Sequence, residues 1–143
     1  MRSFLCKNKK PIIKWGMLPD GILFKGKIPE GYSLAVSPSK KYVIIDVDDH
    51  GTVCGFNNIP VKLKQELKST FNYNTKNKGK HYWVEYTGNK NLANKASKFG
   101  IDLRTNKGYV VWYPEADILE SMSKVKKSSD QLNKWLESLF SYN

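Results

Sequence analysis

An α+β fold is predicted by three observations. Short runs rich in β-branched and aromatic residues recur along most of the 143 residues. Clusters of Gly, Pro, Asn and Ser separate these runs. A sustained helical period appears only near the C-terminal end. Strands interspersed with few helices argue for a sheet protein flanked by helices. The length fits a single domain over residues 1–143 that buries its own core.

The elements follow in order. Residues 7–26 mix basic side chains with Pro11, Trp15, Gly16, Pro19 and Gly21. They read as irregular, with one short strand at 22–25. Residues 33–36 and 42–47 are β-rich, and Ser37-Pro38-Ser39-Lys40 between them reads as a hairpin turn. Pro60 opens a helix in which Leu63, Leu67 and Phe71 recur every fourth residue. Residues 81–86 alternate and are aromatic, which favours a strand. Residues 91–98 read as one or two helical turns, and 101–103 and 109–112 as strands. Residues 116–122 form a short helix before the basic, polar linker 123–129. Leu132, Trp135, Leu136, Leu139 and Phe140 then mark an amphipathic helix whose stripe faces the core. Ser128 and Gln131 fit a capping box at its start.

Charge narrows the partners. Lys and Arg number 24 against 13 Asp and Glu, a net charge of +11, which suits an anionic partner such as nucleic acid, nucleotide or a membrane surface. No run of about 18 apolar residues exists to span a membrane. The first ten residues lack the long apolar region of a secretory signal. Cys6 and Cys54 lack the spacing of a zinc site and are expected to be free thiols in a reducing, cytoplasmic compartment.

Three features carry candidate chemistry. In Tyr42-Val43-Ile44-Ile45-Asp46-Val47-Asp48-Asp49-His50-Gly51, strand alternation puts Asp46 and Asp48 on one face and Val43, Ile45 and Val47 on the other. Two neighbouring acids repel each other, and their burial is costly unless a cation compensates. Carboxylate oxygens suit Mg²⁺ or Mn²⁺. The alternative for this pair alone is a strand end running into a polar turn. The second feature, Thr75-Lys76-Asn77-Lys78-Gly79-Lys80-His81, is a basic glycine-containing loop that delivers a histidine to a strand. Its backbone N–H groups, lysines and histidine could hold phosphate oxygens, and a solvated basic turn is the alternative. The third is Gly100-Ile101-Asp102-Leu103-Arg104, followed by Gly108-Tyr109-Val110-Val111 and Pro114. Asp102 and Arg104 share a face there, either as a surface pair or with Asp102 completing the metal site.

Together these motifs, with Lys9-Lys10-Pro11 and Lys14-Trp15 upstream, resemble the Prim-Pol domain of bifunctional DNA primase/polymerases in the archaeo-eukaryotic primase superfamily. The resemblance covers residues 9–114, leaving 115–143 as C-terminal helices. Lys78 stands where the family usually has the first of two glycines. The resemblance implies a mixed or antiparallel sheet related to RNA-recognition-motif folds and flanked by helices. It also implies a template-directed nucleotidyltransferase, a minimal DNA primase/polymerase. Asp46, Asp48 and Asp102 would hold two divalent ions, Mg²⁺ or Mn²⁺. His81, with Lys80, Arg104 and Gly79, would bind the NTP or dNTP. Lys76, Lys78 and Lys107 would contact a single-stranded DNA template, and Tyr73, Trp83, Tyr109 and Trp112 are candidates to stack its bases, with core packing the alternative for each and the favoured one for Trp112. The small size and family habit suggest a phage or plasmid protein working with a separate replicative helicase. Two other functions compete. One is a catalytically inactive relative that binds single-stranded nucleic acid or a replisome partner. The other is a two-metal nuclease with its base among Asp49, His50 and Glu85.

Overall fold

A computed structural model of the chain describes residues 1–142. Its strands, in chain order, are β1 (Arg2–Lys7), β2 (Lys10–Pro11), β3 (Ser33–Ser37), β4 (Tyr42–Val47), β5 (Asn72–Asn74), β6 (Lys80–Glu85), β7 (Ile101–Arg104), β8 (Val110–Val111) and β9 (Lys126–Lys127). The helices are α1 (Val61–Ser69), α2 (Ile118–Ser121) and α3 (Asp130–Phe140). The strands form two sheets, one ordered β2-β1-β3-β8 and the other β5-β6-β4-β7. All pairings along these two paths are antiparallel. The short β9 adds to β6 in parallel beyond the end of β5. This is the α+β class expected from the sequence.

Alternation along β4 separates two cores. Val43, Ile45 and Val47 pack with Leu63 and Leu67 of α1 and with Leu132, Leu136 and Phe140 of α3. The opposite face carries Ile44 and Trp83, which pack with Val36 and Val110 of the first sheet and with Trp112. The second sheet is therefore sandwiched, with helices on one side and the other sheet on its back. Asp46 follows Ile44 on that back face, so the site lies where the two sheets part.

Several local expectations are corrected. Residues 33–47 do not form a hairpin: β3 pairs with β1 and β8, whereas β4 pairs with β6 and β7. β1 carries no clear strand signal in the sequence, because basic ends mask a six-residue strand that buries only Ser3, Phe4 and Cys6. Residues 22–25 are not a strand; they run beside β1 through Ser3 N–H to Ile22 O and Phe24 N–H to Ser3 Oγ. Residues 91–98 are not helical but an extended crossing, bridged from Lys95 to Leu103 and from Leu92 to Ser141. α1 ends at Ser69, and Phe71 packs instead near Trp83 and Trp112 on the other side of the sheet. The N-cap of α3 is Ser129, whose Oγ accepts from Leu132 N–H at 3.1 Å. Ser128 is buried one residue earlier, with Thr87 and Asn133 as partners.

Candidate active site

Strand register assembles the acids. His81 of β6 and Asp102 of β7 both lie directly opposite Asp46 of β4, which gives a row His81, Asp46, Asp102 across three strands. Asp48 continues the same face two residues on. Its backbone is pinned on both sides, by Asp48 N–H to Gly100 O at 2.9 Å and by Gly55 N–H to Asp48 O at 2.7 Å. This return needs two glycines. A Cβ on Gly55 would stand 2.2 Å from Gly100 O, and Gly100 itself has φ +75°.

Asp46, Asp48 and Asp102 each offer a carboxylate oxygen within 4.8 Å of the others. Asp46 Oδ1 is buried and accepts no hydrogen bond; His81 Nε2 stands 3.5 Å away. Asp102 is held at both oxygens, by Ser97 N–H and by Arg104 Nη2, each at 3.3 Å. Burial, then repulsion from Asp46, pushes the Asp48 carboxyl above its ordinary range, with His50 opposing from 3.7 Å. Burial likewise raises Asp102, against the pull of Ser97 N–H and Arg104. A cluster of desolvated acids with an orphaned oxygen is a set of hard donors, and it fits a divalent cation. The acids open into a cleft of about 590 Å³ whose lining also includes Lys9, Lys76, Arg104 and Lys107. An acidic floor thus meets a basic rim.

The cluster works against the fold. Asp48 and Asp102 bind a proton more readily folded than unfolded, so they cost stability above their raised pKa values. That cost fades as pH falls through them. At neutral pH and without metal, Asp48→Asn is expected to stabilise the protein by up to about 1 kcal/mol, raising the melting temperature by roughly 2–4 °C. Mn²⁺ should raise the melting temperature of the wild type and have less effect on the variant. Differential scanning fluorimetry checks both; a variant that melts lower would contradict the account.

The other residues singled out in the sequence divide. Lys76, Lys107 and Arg104 line the cleft with His81. Gly79 is buried where a Cβ would stand 2.7 Å from Val47 O and 3.0 Å from Asp48 Oδ1, so its lack of a side chain is what lets the loop close on the acids. Lys78 adopts φ +61°, the left-handed region a glycine enters freely, so the loop keeps the backbone of a glycine pair at the cost of some strain. Its side chain is exposed outside the cleft lining.

Two expectations are corrected. Lys80 alternates away from His81, and its Nζ donates to Asn72 Oδ1 at 3.0 Å, away from the cleft. Trp83 is 0% exposed between the sheets, so no base can stack on it. Three residues were missed. Tyr113 lines the cleft near the His81 ring, and Ser97 and Asn94 come from the 91–98 crossing. Asn94 Oδ1 accepts from Thr105 N–H at 2.9 Å, at the turn that carries Lys107. Nothing in local sequence spacing marks the Ser97 and Asn94 contacts, because they depend on an extended crossing whose composition suggests helical turns.

No helix among the described residues is long and apolar enough to cross a membrane. No curated protein matches the chain. The family model for the N-terminal domain of bifunctional DNA primase/polymerases, Prim-Pol, matches residues 8–135. That span takes in all three sequence motifs and reaches into α3, and by it the chain belongs to the Prim-Pol family.

Proposed function

We propose that this protein is a metal-dependent nucleotidyltransferase that joins NTPs or dNTPs on a single-stranded DNA template, as a primase/polymerase. One observation carries the reading. Three carboxylates converge, partly desolvated, at the floor of a cleft whose rim is cationic. A site of that polarity suits a polyphosphate brought in together with divalent cations.

In this reading Asp46, Asp48 and Asp102 hold the ions. When bound, Mg²⁺ or Mn²⁺ lowers the pKa of an attacking 3′-hydroxyl and neutralises charge on the triphosphate. The chain's own residues do the positioning. His81 donates from Nε2 to a phosphate oxygen at the edge of the acids. Arg104 keeps Asp102 oriented and leaves guanidinium N–H groups for the polyphosphate. Lys76, Lys107 and Lys9, all lining the cleft, attract the nucleotide and the template backbone, giving little sequence preference and a strong salt dependence.

Template-dependent incorporation of labelled dNTPs and NTPs, with and without a primer and with Mg²⁺ or Mn²⁺, tests the reading. Lengthened products support it. A wild-type protein that binds single-stranded DNA but makes no product would leave a binding protein, and a shortened template would point to a nuclease.

A further inference from the structure

We propose that Tyr73 is a positioning residue: it holds His81 in the tautomer that carries its proton on Nε2, so that a donor faces the acidic site. The argument is one of hydrogen-bond counting. Tyr73 lies directly opposite His81 across β5 and β6, and the rings meet edge to face with centroids 5.3 Å apart. The Tyr73 hydroxyl is 3.1 Å from His81 Nδ1, and Trp83 Nε1 donates to the same oxygen at 3.1 Å. An indole N–H can only donate, so one lone pair of the Tyr73 oxygen is already taken. Burial pushes the phenol pKa well up, so it keeps its own proton. That proton needs an acceptor, and among the described residues the hydroxyl's other recorded partner is His81 Nδ1. Were Nδ1 protonated, the phenol O–H would be left without a protein acceptor between the buried His81 and Trp83 side chains, a costly arrangement that native interiors avoid. Nδ1 is therefore the acceptor and Nε2 carries the proton. Nε2 is the nitrogen 3.5 Å from the unbonded Asp46 Oδ1.

Trp83 gives the relay a rigid anchor. It is fully buried, with Phe71 and Trp112 beside its ring. The chain Trp83, Tyr73, His81 thus passes N–H and O–H donors in one direction, toward the acids. The tautomer stands on this geometry alone; its consequence for nucleotide binding rests on the function proposed above.

The test is nitrogen NMR on protein with ¹⁵N-labelled histidine, metal-free, at about pH 8, above the ordinary imidazole range. The chain has only 2 histidines, so His50→Gln assigns the spectrum. In the wild type, His81 is expected to show an unprotonated Nδ1 and a protonated Nε2. Tyr73→Phe should turn this into a mixture of tautomers. A wild-type His81 protonated at Nδ1, or a Tyr73→Phe spectrum unchanged from the wild type, would overturn the proposal. If Tyr73→Phe does not fold, the wild-type spectrum decides alone. With metal present, Tyr73→Phe should also weaken nucleotide binding about three- to tenfold, the scale of one hydrogen bond, and leave DNA binding unchanged. A shifted tautomer without any loss of nucleotide affinity supports the positioning role and removes phosphate binding from His81 instead.

Discussion

Asp46→Asn is expected to reduce nucleotide incorporation on the order of 10³-fold or more, since it removes the central ligand of a charge-stabilising site. Asp46 faces both His81 and Asp102 in register, and its buried oxygen has no hydrogen bond to lose. Asparagine keeps the shape and removes a like charge, so the variant should fold at least as well as the wild type. Activity and stability therefore move in opposite directions, which a merely structural acid would not produce. Incorporation of labelled nucleotide on a primed single strand, beside a thermal melt, measures both. Retention of activity to within roughly tenfold of the wild type would show that Asp46 holds no reacting group or ion.

His81→Ala should weaken nucleotide binding about 10- to 100-fold, the scale of a hydrogen bond to a charged phosphate, and leave single-stranded DNA affinity unchanged. The reason is position. His81 is only 5% exposed beside Asp46, deep in the cleft, whereas Lys76 and Lys107 are exposed. Template affinity is instead expected to fall with Lys76 and Lys107 substitutions, and its dependence on salt to become shallower. Fluorescence titration of nucleotide and DNA, run separately on each variant, makes the comparison. His81→Gln, which keeps a donor, should recover part of the loss. Equal losses for nucleotide and DNA would mean that His81 supports the cleft rather than a phosphate.

The acids were legible in the sequence because two rules coincide there. Period-2 alternation puts Asp46 and Asp48 together, and two acids on a hydrophobic strand are too costly to be idle. The same alternation shows that Lys80 cannot share a face with its neighbour His81; the phosphate role came from the motif rather than from the strand geometry. The hairpin over residues 33–47 failed for a different reason. Adjacent strands often pair, but β3 is claimed by β1 and β8, which lie far along the chain on either side. Sheet partners are long-range facts that no local pattern encodes. The row His81, Asp46, Asp102 was hidden for the same reason, since it depends on β4 lying between β6 and β7. Trp83 shares the His81 face, but the cleft closes over it where Val36 and Val110 of the first sheet come down. Tyr73 was visible only as an aromatic; its hydroxyl acquires meaning once β5 is seen paired with β6.

The most direct measurement is a Mn²⁺ titration followed by the paramagnetic resonance of the free ion, with a non-hydrolysable nucleotide present. Saturable binding in the wild type, weakened at least on the order of tenfold in Asp46→Asn and in Asp102→Asn alike, is the predicted result. Equal uptake by all three proteins would mean that the acids of β4 and β7 do not act as one cation site, and the enzymatic reading would fall with it.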